Sequence, residues 1–185
     1  MKVWRKVFHM MGVLILLYLL FNRREAITIM VVILIFNFIL EYLRMNSKWF
    51  NKFISHPELI RKNEIQRMWG VTWYLSGILI SIILFEKHIA ILSVLFLAIA
   101  DPWAEIFGKG FGKLHILKGK TMEGALGFFL CALIVAVIFA KIFQIPFVVV
   151  FAGAIAATLA ELFSYKWDDN LTIPIISGLI MSLII

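Results

Sequence analysis

Residues 124–143 read GALGFFLCALIVAVIFAKIF, a run of apolar side chains whose one charge, Lys141, stands near its end. About 20 such residues cross the hydrocarbon core of a bilayer as a helix, and that decides the fold. Working outward, the chain divides into about seven hydrophobic segments: 7–21, 26–43, 68–85, 88–107, 124–143, 146–164 and 171–185. Several are shorter than an upright crossing needs, so some helices are expected to be partly re-entrant or to run past these limits. No stretch alternates with the period of two that marks a strand, which argues against a barrel.

Composition agrees. The 185 residues are 63% hydrophobic and 16% charged, with a mean hydropathy of +0.98. Soluble domains are about 45–50% apolar and about 25% charged, so a water-soluble globule, a disordered chain and a collagen-like fibre are excluded. The expectation is an all-α, polytopic membrane bundle forming a single domain over 1–185. The net charge of +7 then belongs to loops facing anionic headgroups or an anionic substrate, and no nucleic-acid partner is implied. Cys131 is the one cysteine, so no disulfide or cysteine metal cluster forms within the chain.

Lysine and arginine set the orientation. Fourteen of the eighteen fall at the N-terminus, in loop 44–67, in loop 101–123 and in the turn 165–170, all on one face. Arg23, Arg24, Lys87 and Lys141 fall on the other. By the positive-inside rule the first face, with the N-terminus, is cytoplasmic; in a prokaryote the membrane would be the plasma membrane. The basic N-terminal flank resembles a signal peptide, but Phe21-Asn22-Arg23-Arg24 is no small-residue cleavage site, so a retained helix is expected. Within 44–67, Trp49, Phe50, Phe53 and Ile54 oppose Lys48, Asn51, Lys52 and Ser55, the pattern of a helix lying in the interface.

Chemistry should sit where acids meet apolar segments: Glu41, Asp101, Glu105, Glu123, Glu161, Asp168 and Asp169. An ionised acid at the bilayer centre costs about 2.5–3.5 kcal/mol on insertion scales, and such acids usually face a cavity, a metal or each other. Asp101 and Glu105 are four apart on one helical face and could share Mg²⁺, which prefers oxygen ligands. Lys109, Lys113, Lys118 and Lys120 follow, interleaved with Gly108, Gly110, Gly112 and Gly119. A glycine-broken basic loop (101–124) beside an acidic helix suits a nucleotide–Mg²⁺ complex. Structural roles compete: Asp101 could cap a short helix with Pro102 at its first position and Gly108 at its end. Glu123, Asp168 and Asp169 could likewise serve as first-turn or turn residues. Gly119-Lys120-Thr121 lacks the earlier glycine of a P-loop, and Gly108–Lys113 breaks the dinucleotide-binding pattern at its last position. No H-E-x-x-H or G-x-S-x-G occurs.

At these residues the chain resembles the CTP-dependent polyprenol kinase family, which includes dolichol kinase, phytol kinase and the CTP-type diacylglycerol kinase. Three motifs carry the resemblance, in order. They are D-x2-A-x3-G-x3-G (Asp101, Ala104, Gly108, Gly112), K-[ST]-x-E-G (Lys120, Thr121, Glu123, Gly124) and E-x6-D-D-N-x3-P (Glu161, Asp168, Asp169, Asn170, Pro174). Arg5, Lys6 and His9 form a weaker R-K-x-x-H, and Glu64 and Gly70 also resemble a family feature. Pro102-Trp103 departs from the small residues commoner there. The resemblance implies transfer of the γ-phosphoryl of CTP to a lipid alcohol, an isoprenoid alcohol or diacylglycerol, at the cytoplasmic face. It implies Asp101, Glu161 and Asp169 as catalytic residues. Gly108, Gly112, Lys113, Lys120, Thr121 and Asn170 would bind nucleotide, and Asp101, Glu105, Glu123 and Asp169 would hold Mg²⁺. Phosphatidate cytidylyltransferases resemble the central stretch too, but continue into a K-D segment and an H-G-G-x-x-D-R tail that this chain lacks. A small transporter using its acids as an ion path is a third reading. Oligomeric state is left open.

Overall fold

The computed structural model describes residues 22–47, 49, 51, 68–117, 119–164 and 168–185. The predicted segment 7–21, the basic motif at Arg5, Lys6 and His9, most of the interfacial loop with Glu64, and Lys118 lie outside these residues.

Among the described residues six helices follow one another: α1 (Arg23–Asn46), α2 (Gly70–Leu84), α3 (Lys87–Phe111), α4 (Met122–Phe143), α5 (Phe147–Phe163) and α6 (Asp169–Ile184). Helices α1, α3 and α4 are long and apolar enough to cross a bilayer. At 1.5 Å per residue the other three span roughly 22–26 Å, short of the roughly 30 Å hydrocarbon core. The architecture is that of an all-α membrane protein. Its ends are specified locally. Asn22 caps α1 by accepting from Glu25 N–H at 3.3 Å, and Arg23 Nη2 donates to the carbonyls of Ile82 (2.7 Å) and Phe85 (3.1 Å), tying the start of α1 to the end of α2.

Lipid tails are as apolar as leucine, so close packing rather than water exclusion holds such helices together. The small residues show it. Gly153 lies against α6, where Met181 fills the space beside it, and Ala154, Ala157 and Ala160 of the same helix are buried. Helix α6 also packs on α2, α3 packs on α4, and α1, at the edge of the described residues, packs on α2. Phe96, Phe128, Met30 and Ile173 are enclosed, whereas Val32, Phe36, Ile134 and Leu183 face outward as a lipid-facing apolar surface does.

Two expectations are corrected. Asp101 does not cap a short helix ending at Gly108: α3 continues through it from Lys87 to Phe111. Proline lacks an N–H and crowds the carbonyl four residues back, and the π-helical turn Phe96–Ala100 just before Pro102 accommodates both. Gly108, Lys109 and Gly110 are therefore helical rather than loop. The connection to α4 also contains strand structure, a two-stranded antiparallel hairpin of β1 (His115–Leu117) and β2 (Lys120–Thr121). Its strands are too short for alternation to show, and Gly119, at φ 83°, supplies the left-handed turn residue.

Candidate functional site

The site is built where α3, the hairpin, α5 and α6 meet. Ala104, Gly108 and Gly112 recur every four residues and line one face of α3 and its C-cap. A methyl group on Gly108 would lie 3.2 Å from Thr121 Oγ1 and 3.7 Å from Gly124 Cα, and one on Gly112 would collide with the Gly108 carbonyl. These spacings let the α4 N-terminus close on α3. Thr121 Oγ1 caps α4, accepting from Gly124 N–H at 3.1 Å. Thr121→Ala should cost about 1 kcal/mol of stability, with Thr121→Ser restoring most of it, as the thermal midpoint would record.

The hairpin delivers Lys120 into a cavity of about 480 Å³ lined by Asp101, Glu105, Lys120, Glu161 and Asp169 among others. Lys120 Nζ donates to Glu161 Oε1 and lies 3.4 Å from Asp169 Oδ2. Glu161, near the end of α5, is buried, and Lys120 and Asp169 keep about a quarter of their side chains open. Burial pulls the Lys120 ammonium toward the neutral form. The carboxylates of Asp169 and Glu161, the Glu161 hydrogen bond and the more distant Asp101 outweigh it, so the pKa lies above the ordinary lysine value. Lys120 is therefore a fixed cation at neutral pH.

The start of α6 divides labour among three adjacent residues. Asp168 caps the helix, accepting from Asn170 N–H at 3.1 Å and from Asn170 Nδ2 at 2.6 Å. Asp169 faces the cavity. Asn170 is buried and reaches the Gly70 carbonyl at 3.4 Å, tying α6 to the start of α2. Ser164 and Thr172 share a 2.7 Å hydrogen bond that holds the end of α5 to α6.

Of the residues the sequence singled out, Asp101, Glu105, Gly108, Lys120, Thr121, Glu161 and Asp169 converge on this cavity. Gly112, Lys113, Glu123 and Asn170 do not line it. The Glu123 carboxylate instead accepts from Leu114 N–H at 3.3 Å. Glu105 is paired with Lys109. His115 and Ala125 line the cavity without having been singled out; a histidine in a short strand carries no signal of its own. Among the described residues, no three His, Cys, Asp or Glu stand close enough to hold a metal by themselves.

A helical membrane fold with a carboxylate- and lysine-lined cavity defines the class: a membrane protein whose polar site suits a phosphorylated ligand. Comparison with known proteins carries this further. No family model and no solved structure matches the chain. CTP-dependent diacylglycerol kinase 1 of Saccharomyces cerevisiae is 28% identical over 213 residues, covering all of this chain and 73% of the yeast protein. The protein of the same name in Schizosaccharomyces pombe is 29% identical over 153 residues, 75% of this chain and 69% of the relative. An uncharacterized protein of Methanocaldococcus jannaschii is 30% identical over 186 residues, 98% of this chain and 93% of the relative. The named relatives, at 28–29% identity, are CTP-dependent diacylglycerol kinases, and they support the CTP-dependent lipid kinase family, a group of phosphotransferases.

Proposed function

We propose that the protein transfers the γ-phosphoryl of CTP to the hydroxyl of a neutral lipid alcohol, with diacylglycerol as acceptor. The observation that carries the reading is Lys120, a cation held between Glu161 and Asp169 in a cavity that Asp101 and Glu105 also line. The relatives' names support CTP and diacylglycerol. The motif resemblance keeps dolichol, other polyprenols and phytol as alternative acceptors.

Phosphoryl transfer needs positioning and charge neutralisation more than a covalent nucleophile. Lys120, with Lys109 at the rim, binds phosphate oxygens as point charges. The acceptor oxygen attacks the γ-phosphorus, the bond to the β–γ bridging oxygen breaks, and CDP leaves with that electron pair. The hydroxyl proton passes to the carboxylate of Asp101 or Asp169. Glu161 keeps Lys120 in place, and Asn170 fixes the turn that presents Asp169. The donor set suits Mg²⁺, which commonly binds through one or two carboxylates plus substrate phosphates rather than through an all-protein cage. One or two of the cavity carboxylates Asp101, Glu105 and Asp169 would hold it together with substrate phosphates, and when bound it would supply neutralisation of the phosphate charge. Glu123, turned toward Leu114, is left to order the hairpin. In this reading the chain makes about seven crossings with its N-terminus and catalytic loop on the cytoplasmic side, supported by the distribution of lysine and arginine.

The test uses purified protein in detergent with Mg²⁺, CTP labelled in the γ-phosphate, and diacylglycerol, dolichol, phytol or phosphatidate. Label should enter the lipid phase with diacylglycerol. Pyrophosphate released only with phosphatidate would indicate a cytidylyltransferase, and CTP unconsumed with every lipid would contradict the kinase reading.

A further inference from the structure

A second polar cluster lies outside the cavity, on the edge helix α1. Asn37, Glu41 and Arg44, spaced four and three apart, form one buried stripe, while Val32, Phe36 and Tyr42 on the remaining surface are each more than 60% exposed. The stripe faces the start of α2. Asn37 Oδ1 accepts from Thr72 Oγ1 at 2.8 Å. Arg44 Nη2 donates to Glu41 Oε1 at 2.6 Å, and the guanidinium lies 5.1 Å from the centre of the Trp69 ring.

This arrangement is incomplete. Glu41 is 3% exposed, yet among the described residues its second oxygen, Oε2, has no hydrogen-bond partner, and neither does the buried Trp69 Nε1. A buried polar atom left without a partner costs about 1–3 kcal/mol, more when charged. Glu41 Oε2 is an acceptor and Trp69 Nε1 a donor, and both residues border the Arg44 guanidinium. Their complement is a group that donates and accepts together, such as a hydroxyl beside an ester. The Glu41–Arg44 pair carries no net charge, and the orphaned carboxylate oxygen repels an anion, so a neutral headgroup suits it better than a phosphorylated one. The cluster also adjoins the site: Gly70, next to Trp69, accepts from Asn170, next to Asp169. The helix that carries it is the least buried of the three long helices among the described residues, which would leave acyl tails in the bilayer.

We propose that Glu41, Arg44 and Trp69 form the subsite for the neutral glycerol headgroup of the lipid acceptor, and that this subsite rejects the phosphorylated product. The proposal rests on the kinase reading for the identity of its ligand, but its test does not require turnover. Binding of radiolabelled dioctanoylglycerol and of dioctanoyl phosphatidate to the full chain in detergent is measured without nucleotide. Wild type should favour dioctanoylglycerol. Trp69→Phe keeps the ring over Arg44 but removes the donor, and should weaken dioctanoylglycerol binding about three- to tenfold, the scale of one net hydrogen bond. Glu41→Gln should weaken it by at least as much and tighten phosphatidate, because Arg44 loses its counter-charge. Unchanged binding in both variants would overturn the subsite. So would parallel loss of dioctanoylglycerol, phosphatidate and CTP binding together with the thermal midpoint, which would mark a purely structural pair, or wild type that binds no dioctanoylglycerol. Wild type that binds dioctanoylglycerol but never transfers phosphate to it would count against the kinase reading and leave the subsite standing.

Discussion

Lys120→Ala should lower phosphoryl transfer by about 100-fold or more, the usual scale for removing one preorganised charge-stabilising group. It should also destabilise the protein. The change strips the buried Glu161 carboxylate of its hydrogen-bonded cation and leaves Asp169 facing it. Removing one partner of a buried pair costs about 3–5 kcal/mol, and partial exposure of Lys120 puts this case near 3. The pH dependence has a definite sign. The folded-state pKa of Lys120 is raised, so its stabilisation is fully present below the unfolded lysine value of about 10.4 and is lost only as pH rises through the higher folded value. The thermal midpoints of wild type and variant should therefore differ equally at pH 7 and pH 9. A gap that closed by pH 9 would contradict the ion-paired assignment.

Gly77→Ala should be the most damaging change far from the cavity. Pro174, inside α6, cannot donate to the Asn170 carbonyl four residues back, and α2 approaches that carbonyl closely. A methyl group on Gly77 would lie 2.5 Å from Asn170 O and 3.2 Å from Pro174 Cγ. Alanine normally gains about 1 kcal/mol over glycine inside a helix. Here the obstacle is backbone, which cannot rotate aside, and overpacking of this kind costs about 1–3 kcal/mol. The clash wins, α6 is displaced at its start, and Asp169 moves with it, so activity should fall more than tenfold along with the thermal midpoint. Gly110→Ala is the control. No described residue lies within 4 Å of the added methyl, so the helix preference should act alone and raise stability.

Much of this was legible in the sequence. The apolar belt was, because a membrane helix must be apolar along its whole length and the loops must carry the lysines and arginines. The meeting of Asp101, Lys120, Glu161 and Asp169 was foreshadowed by acids at helix ends, where an unpaired charge would be too costly to keep. The roles of the glycines were not legible. Their interleaving with lysine reads as a phosphate-cradling loop, yet Gly108 is helical and gives room for α4. Glu123 has the same chemistry as Glu105, and only the hairpin geometry turns it to Leu114 N–H. Glu41 stood out as an acid in an apolar segment. Arg44, three residues on, falls by sequence among the loop charges, and its burial against Trp69 depends on how α1 meets α2, which no local pattern encodes.

If the protein uses CTP as donor, the cavity around Lys120 is where the nucleotide binds. Photo-crosslinking with an azido-CTP analogue, followed by peptide mapping, tests it most directly. Label should fall within residues 101–124 or on the peptides bearing Glu161 and Asp169, be competed by unlabelled CTP and be lost in Lys120→Ala. Competable label confined to α1, or to the middle of α4 or α5, would place the nucleotide elsewhere and rule out the Lys120 cavity as its site.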